Sequence, residues 1–125
     1  EDNHYVIPAI SKQEMLYFIS QCKVGFMPYD IKDPHNLHCV PLKLFDYFSA
    51  GLPVVSSKLL NISQYEELIF ICETKEEFES GIEKSLKEGS ESCVCEKRKV
   101  IYQSHSTKKT SDAFEKCISE LLRTT

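Results

Sequence analysis

The chain has no surplus of basic residues, no long apolar run and no paired cysteine clusters, and each absence removes a class of function. Lysine and arginine number 15 against 19 aspartate and glutamate, giving a formal charge of −4 and a sequence pI near 5.6. A groove that neutralises nucleic-acid phosphates needs clustered cations in excess, so no nucleic-acid partner is expected. One basic cluster, Lys97-Arg98-Lys99, follows Glu96 and reads as a solvated helix face, with peripheral contact to an anionic membrane surface as the alternative. No segment approaches the roughly 20 apolar residues of a membrane span, and no charged-then-apolar leader opens the chain. Internal repeats, heptads and low-complexity linkers are also missing.

Six cysteines in 125 residues would suit a disulfide framework in a small secreted protein. Here Cys22, Cys72 and Cys117 fall inside apolar helix or strand patterns, which predicts buried thiols. Cys93-Val94-Cys95 is too tight for an ordinary disulfide and has no second cysteine pair at zinc-finger spacing. His35, His38 and Cys39 form the other group of ligand-type side chains, within a loop; no bound metal is expected.

What is present is an alternation of helix and strand patterns. Tyr5-Val6-Ile7 ends at Pro8 and reads as a strand. Ser11 and Glu14 have capping-box spacing, and Met15, Phe18, Ile19 and Cys22 follow at helical intervals that should face a sheet. Val24 to Met27 reads as a buried strand, and the Pro-, Asp-, Asn- and His-rich stretch up to Cys39 as a loop. A helix then starts near Pro41, with Leu44, Phe45 and Phe48 inward and Leu42 widening that face; Gly51 should cap it in the left-handed conformation before the Val54-Val55 strand. After a Ser56-Ser57-Lys58 turn and an irregular stretch to Tyr65, residues 68–72 form another apolar strand. Thr74 and Glu77 repeat the capping-box spacing ahead of Phe78, Ile82 and Leu86, which should pack on the sheet before Gly89 and a polar connection. Two helices finish the pattern, about 95–103 and 107–123, the second with Phe114, Cys117, Ile118 and Leu121 inward. The order implies an α/β domain with a parallel sheet, in which ligands bind where strands end and helices begin.

The block from Pro41 through Asp46 to Ala50-Gly51-Leu52-Pro53-Val54-Val55 carries a resemblance. With the preceding helix, strand and Pro28 loop, it resembles the nucleotide-sugar-binding half of GT-B glycosyltransferases, especially the retaining group called family 4. The likeness runs over about residues 5 to 87 and more weakly over about 104 to 122. It implies that residues 1–125 are one domain, the distal part of a Rossmann-like donor-binding domain, with the N-terminal acceptor domain of the same parent absent from this chain. The fragment alone would then be inactive, and the parent would move a sugar from a nucleoside diphosphate sugar to an unknown acceptor with retention, without a metal or other cofactor.

On that resemblance the donor would meet Pro41, Leu42, Lys43, Asp46 and His38. Helix-start amides suit a diphosphate, and Lys43 adds positive charge. The family places an acidic residue, usually Glu, five residues before the glycine, where it accepts hydrogen bonds from ribose; this chain has Asp46, shorter by one methylene. As a structural alternative, Asp46 would be a solvated carboxylate or pair with Lys43, three residues away. Many members carry a second acid eight residues earlier, where this chain has His38, and an aromatic after a serine near the tail, where it has Ser104-His105. Tyr29 and Asp30 lie at a strand end and would line the cleft. Unpaired cysteines and the resemblance together suggest a cytoplasmic location, including the inner membrane face. A non-catalytic nucleotide-sugar-binding or interaction module and an unrelated flavodoxin-like domain are the competing readings.

Overall fold

A computed structural model describes residues 3–88 and 93–123. Chain order is α1 (Lys12–Ser20), β1 (Gly25–Met27), α2 (Pro34–His38), α3 (Leu42–Ser49), β2 (Val54–Ser57), a 3₁₀ segment (Leu60–Tyr65), β3 (Ile69–Cys72), α4 (Lys75–Glu88), α5 (Cys93–Ser104) and α6 (Thr107–Arg123). The strands form one parallel sheet in the order β1-β2-β3, with Gly25 opposite Val54 and Val54 opposite Ile69. The expected α/β class is therefore observed: a parallel sheet flanked by helices, as in part of a Rossmann-like domain.

Alternation along the strands separates two layers. Met27, Val54 and Ile69 join Leu44 and Phe48 of α3 in the main core, which also takes Leu59, Ile62 and Tyr65 and is covered by Val94, Ile101 and Tyr102 of α5. On the other face α4 lies close to the sheet because Gly81 has no side chain. A Cβ there would stand 3.1 Å from Val55 Cγ1 and 3.4 Å from Phe70 Cβ.

Local chemistry explains the helix ends. Ser11 and Glu14 make the expected reciprocal capping box on α1. Gly51 has φ +71°, its N–H bonds Phe48 O at 2.9 Å, and Leu52 N–H bonds Tyr47 O at 3.1 Å, which is a Schellman ending of α3. A second glycine is required at the start of β1. The ring of Tyr47 lies so close that a Cβ on Gly25 would come within 2.5 Å of Tyr47 Cδ2.

Several expectations are corrected. Residues 5–7 are not a strand: among the described residues nothing pairs with them, and Tyr5 and Val6 are more than 80% exposed. Apolar alternation makes a strand only where a ladder partner exists. The 29–39 loop contains α2, capped by Asp33, whose Oδ1 accepts from His35 N–H. Ser56 and Ser57 belong to β2 rather than to a turn, and the stretch before Tyr65 is a regular 3₁₀ segment with Ile62 buried. Phe26 and Phe18 are about half exposed, Leu42 is exposed, and Leu86 yields its place to Gly81 and Ser85 on the inner face of α4. Cys117 is exposed, as are Phe114, Ile118 and Leu121, because α6 buries none of its residues; Cys95 is buried instead. Gly89 and its polar connection through Ser92 lie outside the described residues.

The basic cluster is also corrected. Arg98 is not on a solvated face: it is 1% exposed, and its Nη1 and Nη2 meet the two oxygens of Glu88 at 2.6 and 3.3 Å. Its Nε donates to Leu68 O at 2.8 Å and Nη1 to Gly51 O at 3.3 Å. One guanidinium therefore ties α5 to α4, to the entry of β3 and to the α3–β2 turn. Lys99 pairs with Glu96 at 2.9 Å, so the cluster does not present three free cations.

Candidate functional site

Helix α3 begins beside the carboxyl end of β1, where a parallel sheet leaves its ligand crevice. Pro41 is the N-cap rather than a first-turn residue, with φ −66° and ψ 127°, and it offers no side-chain acceptor. Pro41 O accepts from Leu44 N–H at 3.0 Å, while the amides of Leu42 and Lys43 receive no side-chain cap. Those two donors and the helix dipole make this a place where an anion is stabilised. Leu42 projects outward, 81% exposed, so it offers apolar surface beside the amides.

Lys43 extends over the ring of Tyr29, its Nζ 5.2 Å from the centroid. Tyr29 is held in turn at the strand end, because Ser57 Oγ donates to its carbonyl at 2.8 Å. Asp30 is committed to the loop: its Oδ1 accepts from Lys32 N–H at 2.9 Å and its carbonyl from Asn36 Nδ2 at 3.1 Å. His38, the last residue of α2, has an exposed side chain, while its carbonyl accepts from Asn61 Nδ2 in the 3₁₀ segment. His35, His38 and Cys39 are not gathered into a metal-binding group, and no such group occurs among the described residues.

Asp46 is largely withdrawn from solvent, its side chain 16% exposed, and Oδ1 pairs with Lys12 Nζ from α1. Lys12, rather than Lys43, is its cationic partner, so the expected local pair is replaced by one spanning 34 residues of sequence. Sequence spacing could not find it, because it depends on α1 lying across α3. Leu42, Lys43 and Asp46 thus share α3, with Pro41 at its N-cap, Tyr29 arriving from the end of β1 and His38 from the end of α2.

Behind this helix lies an aromatic group that the patterning left unassigned. Phe45 stacks on His105 at 5.0 Å, and Tyr65 O–H meets His105 Nε2 at 3.5 Å. His105 Nδ1 lies 2.9 Å from Ile101 O and 3.0 Å from Ser104 Oγ, so both ring nitrogens have polar neighbours. Burial pushes the Tyr65 phenol above its ordinary pKa, keeping it a donor. The group fastens the end of α5 to the back of α3.

The chain is 34% identical over 55 residues to a Bacillus subtilis (strain 168) protein named "Putative teichuronic acid biosynthesis glycosyltransferase TuaH". The matched stretch is 44% of this chain and 14% of that protein, so the chain spans a small part of its relative. No family model matches the chain. No solved structure matches it either. The comparison supports a glycosyltransferase relationship at the level of this partial likeness. Among the described residues no helix is long and apolar enough to cross a membrane.

Proposed function

We propose that the chain is the distal part of the donor-binding domain of a GT-B, family 4-like glycosyltransferase, with a nucleoside diphosphate sugar bound at the start of α3. The observation that carries this reading is the uncapped start of α3 at the carboxyl end of a parallel sheet, in a chain partly similar to a named glycosyltransferase. The amides of Leu42 and Lys43 receive the diphosphate, with Lys43 swinging from Tyr29 to add its charge. As the glycosidic bond breaks, negative charge grows on the leaving phosphate, and donors already in place lower that barrier. Asp46 accepts from the ribose hydroxyls through Oδ2 while Lys12 holds Oδ1; His38 lies at the sugar end. The acceptor, the N-terminal domain that binds it, retention of configuration and work at the cytoplasmic membrane face belong to the parent in this reading.

A competing reading is a nucleotide-sugar-binding or interaction module without transfer. The Lys12–Asp46 pair and the absence of an acidic side chain at His38 favour it. Calorimetric titration of the full-length parent with a panel of nucleotides and nucleotide sugars tests both. Saturable binding is expected, weakened about 10- to 100-fold in Asp46→Ala, the equivalent of ~1.5–3 kcal/mol for a charged hydrogen bond. Binding without sugar transfer would select the second reading, and no binding across the panel by the folded parent would overturn the donor site and leave the interaction module.

A further inference from the structure

Among the described residues β3 is an outer strand of the sheet, and one side of it has no ladder partner. The register fixes which backbone groups lie on that side. Gly25 N–H donates to Pro53 O at 2.8 Å, with Gly25 opposite Val54, so the backbone of Pro53 and Val55 turns to β1 and that of Val54 and Ser56 to β3. Val54 stands opposite Ile69 and Ser56 opposite Ile71. The ladder therefore takes Leu68 O, both groups of Phe70 and Cys72 N–H, and the N–H and C=O of Ile69 and Ile71 face away from it. No hydrogen bond outside the ladder reaches those four groups among the described residues.

They lie in a groove of about 750 Å³ that runs along β3 between the 3₁₀ side, with Leu59 and Leu60, and α4, with Ser80 and Gly81. Ile69 is only 5% exposed, and backbone groups in such surroundings are nearly always paired. Edge strands are commonly blunted by a lysine, a proline or a bulge; Ile69-Phe70-Ile71-Cys72 has none of these, and its register is unbroken. Alternation puts Ile69 and Ile71 on the 3₁₀ side, and Phe70 and Cys72 on the side of α4.

Charge selects the occupant. Glu66, Glu73, Glu76 and Glu77 line the groove against Lys58 and Lys84, an excess of two negative charges. Lys58 is taken by Glu73 at 2.8 Å, whereas Glu66 and Glu76 are exposed and belong to no ion pair among the described residues. A second copy pairing β3 with β3 would set two acidic rims against each other, so the rim disfavours self-association and favours a basic segment.

From this edge we propose a docking site for an extended peptide segment of a partner protein, with lysine or arginine alternating with apolar residues. It adds as a strand beside β3, and its backbone bonds the N–H and C=O of Ile69 and Ile71. Its apolar side chains lie against Ile71 and the half-exposed Leu60, and its cations meet the acidic side chains at the start of α4. None of the residues assigned to the donor lines the groove, so the site stands or falls separately.

The test is calorimetric titration of the full-length parent with three short peptides: alternating valine and lysine, alternating valine and glutamate, and the valine–lysine peptide N-methylated at every residue, which keeps its charge and loses its backbone donors. The unmodified valine–lysine peptide should bind saturably and about tenfold or more tightly than either of the others. Hydrogen exchange resolved at single residues should slow by about tenfold or more at Ile69 and Ile71 in the complex, and far less at Phe70 and Cys72, whose N–H groups are already in the ladder. Ile71→Pro removes one outward donor at an edge position of the kind that tolerates proline, and should weaken the peptide about tenfold or more with the circular dichroism unchanged. Glu76→Lys, at an exposed position, should weaken the valine–lysine peptide and strengthen the valine–glutamate one, whether or not Ile71→Pro folds. The proposal is overturned if the valine–lysine peptide does not bind, if its N-methylated form binds equally well, or if protection falls away from β3. A dimer of the parent in sedimentation that Ile71→Pro abolishes would also overturn it, by giving the edge to a second copy.

Discussion

Replacing Arg98 by methionine should be among the most damaging single changes in this chain. Methionine keeps much of the stem but removes the guanidinium, leaving Leu68 O and Gly51 O without that donor and taking the Arg98 charge away from Glu88. Breaking a buried charge pair from one side costs about 3–5 kcal/mol. The Glu88 side chain is 17% exposed and can partly rehydrate, which favours the lower end. With an unfolding entropy of about 2.1 cal/mol/K per residue, or roughly 0.26 kcal/mol/K for a chain of this size, the Tm should fall by about 11–19 °C. The assay is paired thermal and urea unfolding followed by far-UV circular dichroism, with Glu88→Gln and the double variant completing a cycle. The coupling should be large, so that the double variant is less destabilised than the sum of its parts. A loss below about 1 kcal/mol in Arg98→Met, as at an exposed pair, would refute the reasoning that this guanidinium holds α5 against the sheet.

The close approach at Gly25 makes a second prediction. Gly25→Ala should cost about 1–3 kcal/mol by overpacking against the Tyr47 ring, measured by urea unfolding, and Tyr47→Leu in the same chain should recover much of it. At α1, the hydrogen bonds from the Ser11 hydroxyl and backbone hold the Glu14 carboxyl below its ordinary pKa. A depressed value means stability present above the unfolded pKa and lost as pH falls through the folded one. Amide exchange across α1 should therefore accelerate, relative to the other helices, as pH drops below about 4.5 and through that lowered value, and Glu14→Gln should flatten the response.

Much of the fold was legible in the chain because its signals are local. Ser11 with Glu14 makes a cap within one turn, Gly51 is the residue that takes φ +71° without a Cβ penalty, and short apolar runs separated by helix patterns imply a parallel sheet. The choice of α3 for the candidate site came from the same local reading, since amides at a helix start follow from where the helix begins. Periodicity misled where the partner of a face was at issue. Phe114, Ile118 and Leu121 form a regular stripe on α6 but are exposed, and Leu86 continues the spacing of Phe78 and Ile82 but leaves the sheet.

Tertiary structure alone decided the charged and polar connections. Arg98 was read from the sequence as part of a solvated face, yet it is buried, and its four bonds go to Gly51, Leu68 and Glu88, which only folding assembles. Asp46 could be placed on a helix from the sequence, but its pairing with Lys12 depends on α1 crossing α3. Backbone conformation is set by neighbours a turn away, and the sequence carries it openly. The partner of a long side chain is set by which elements pack together, and that is a property of the whole chain.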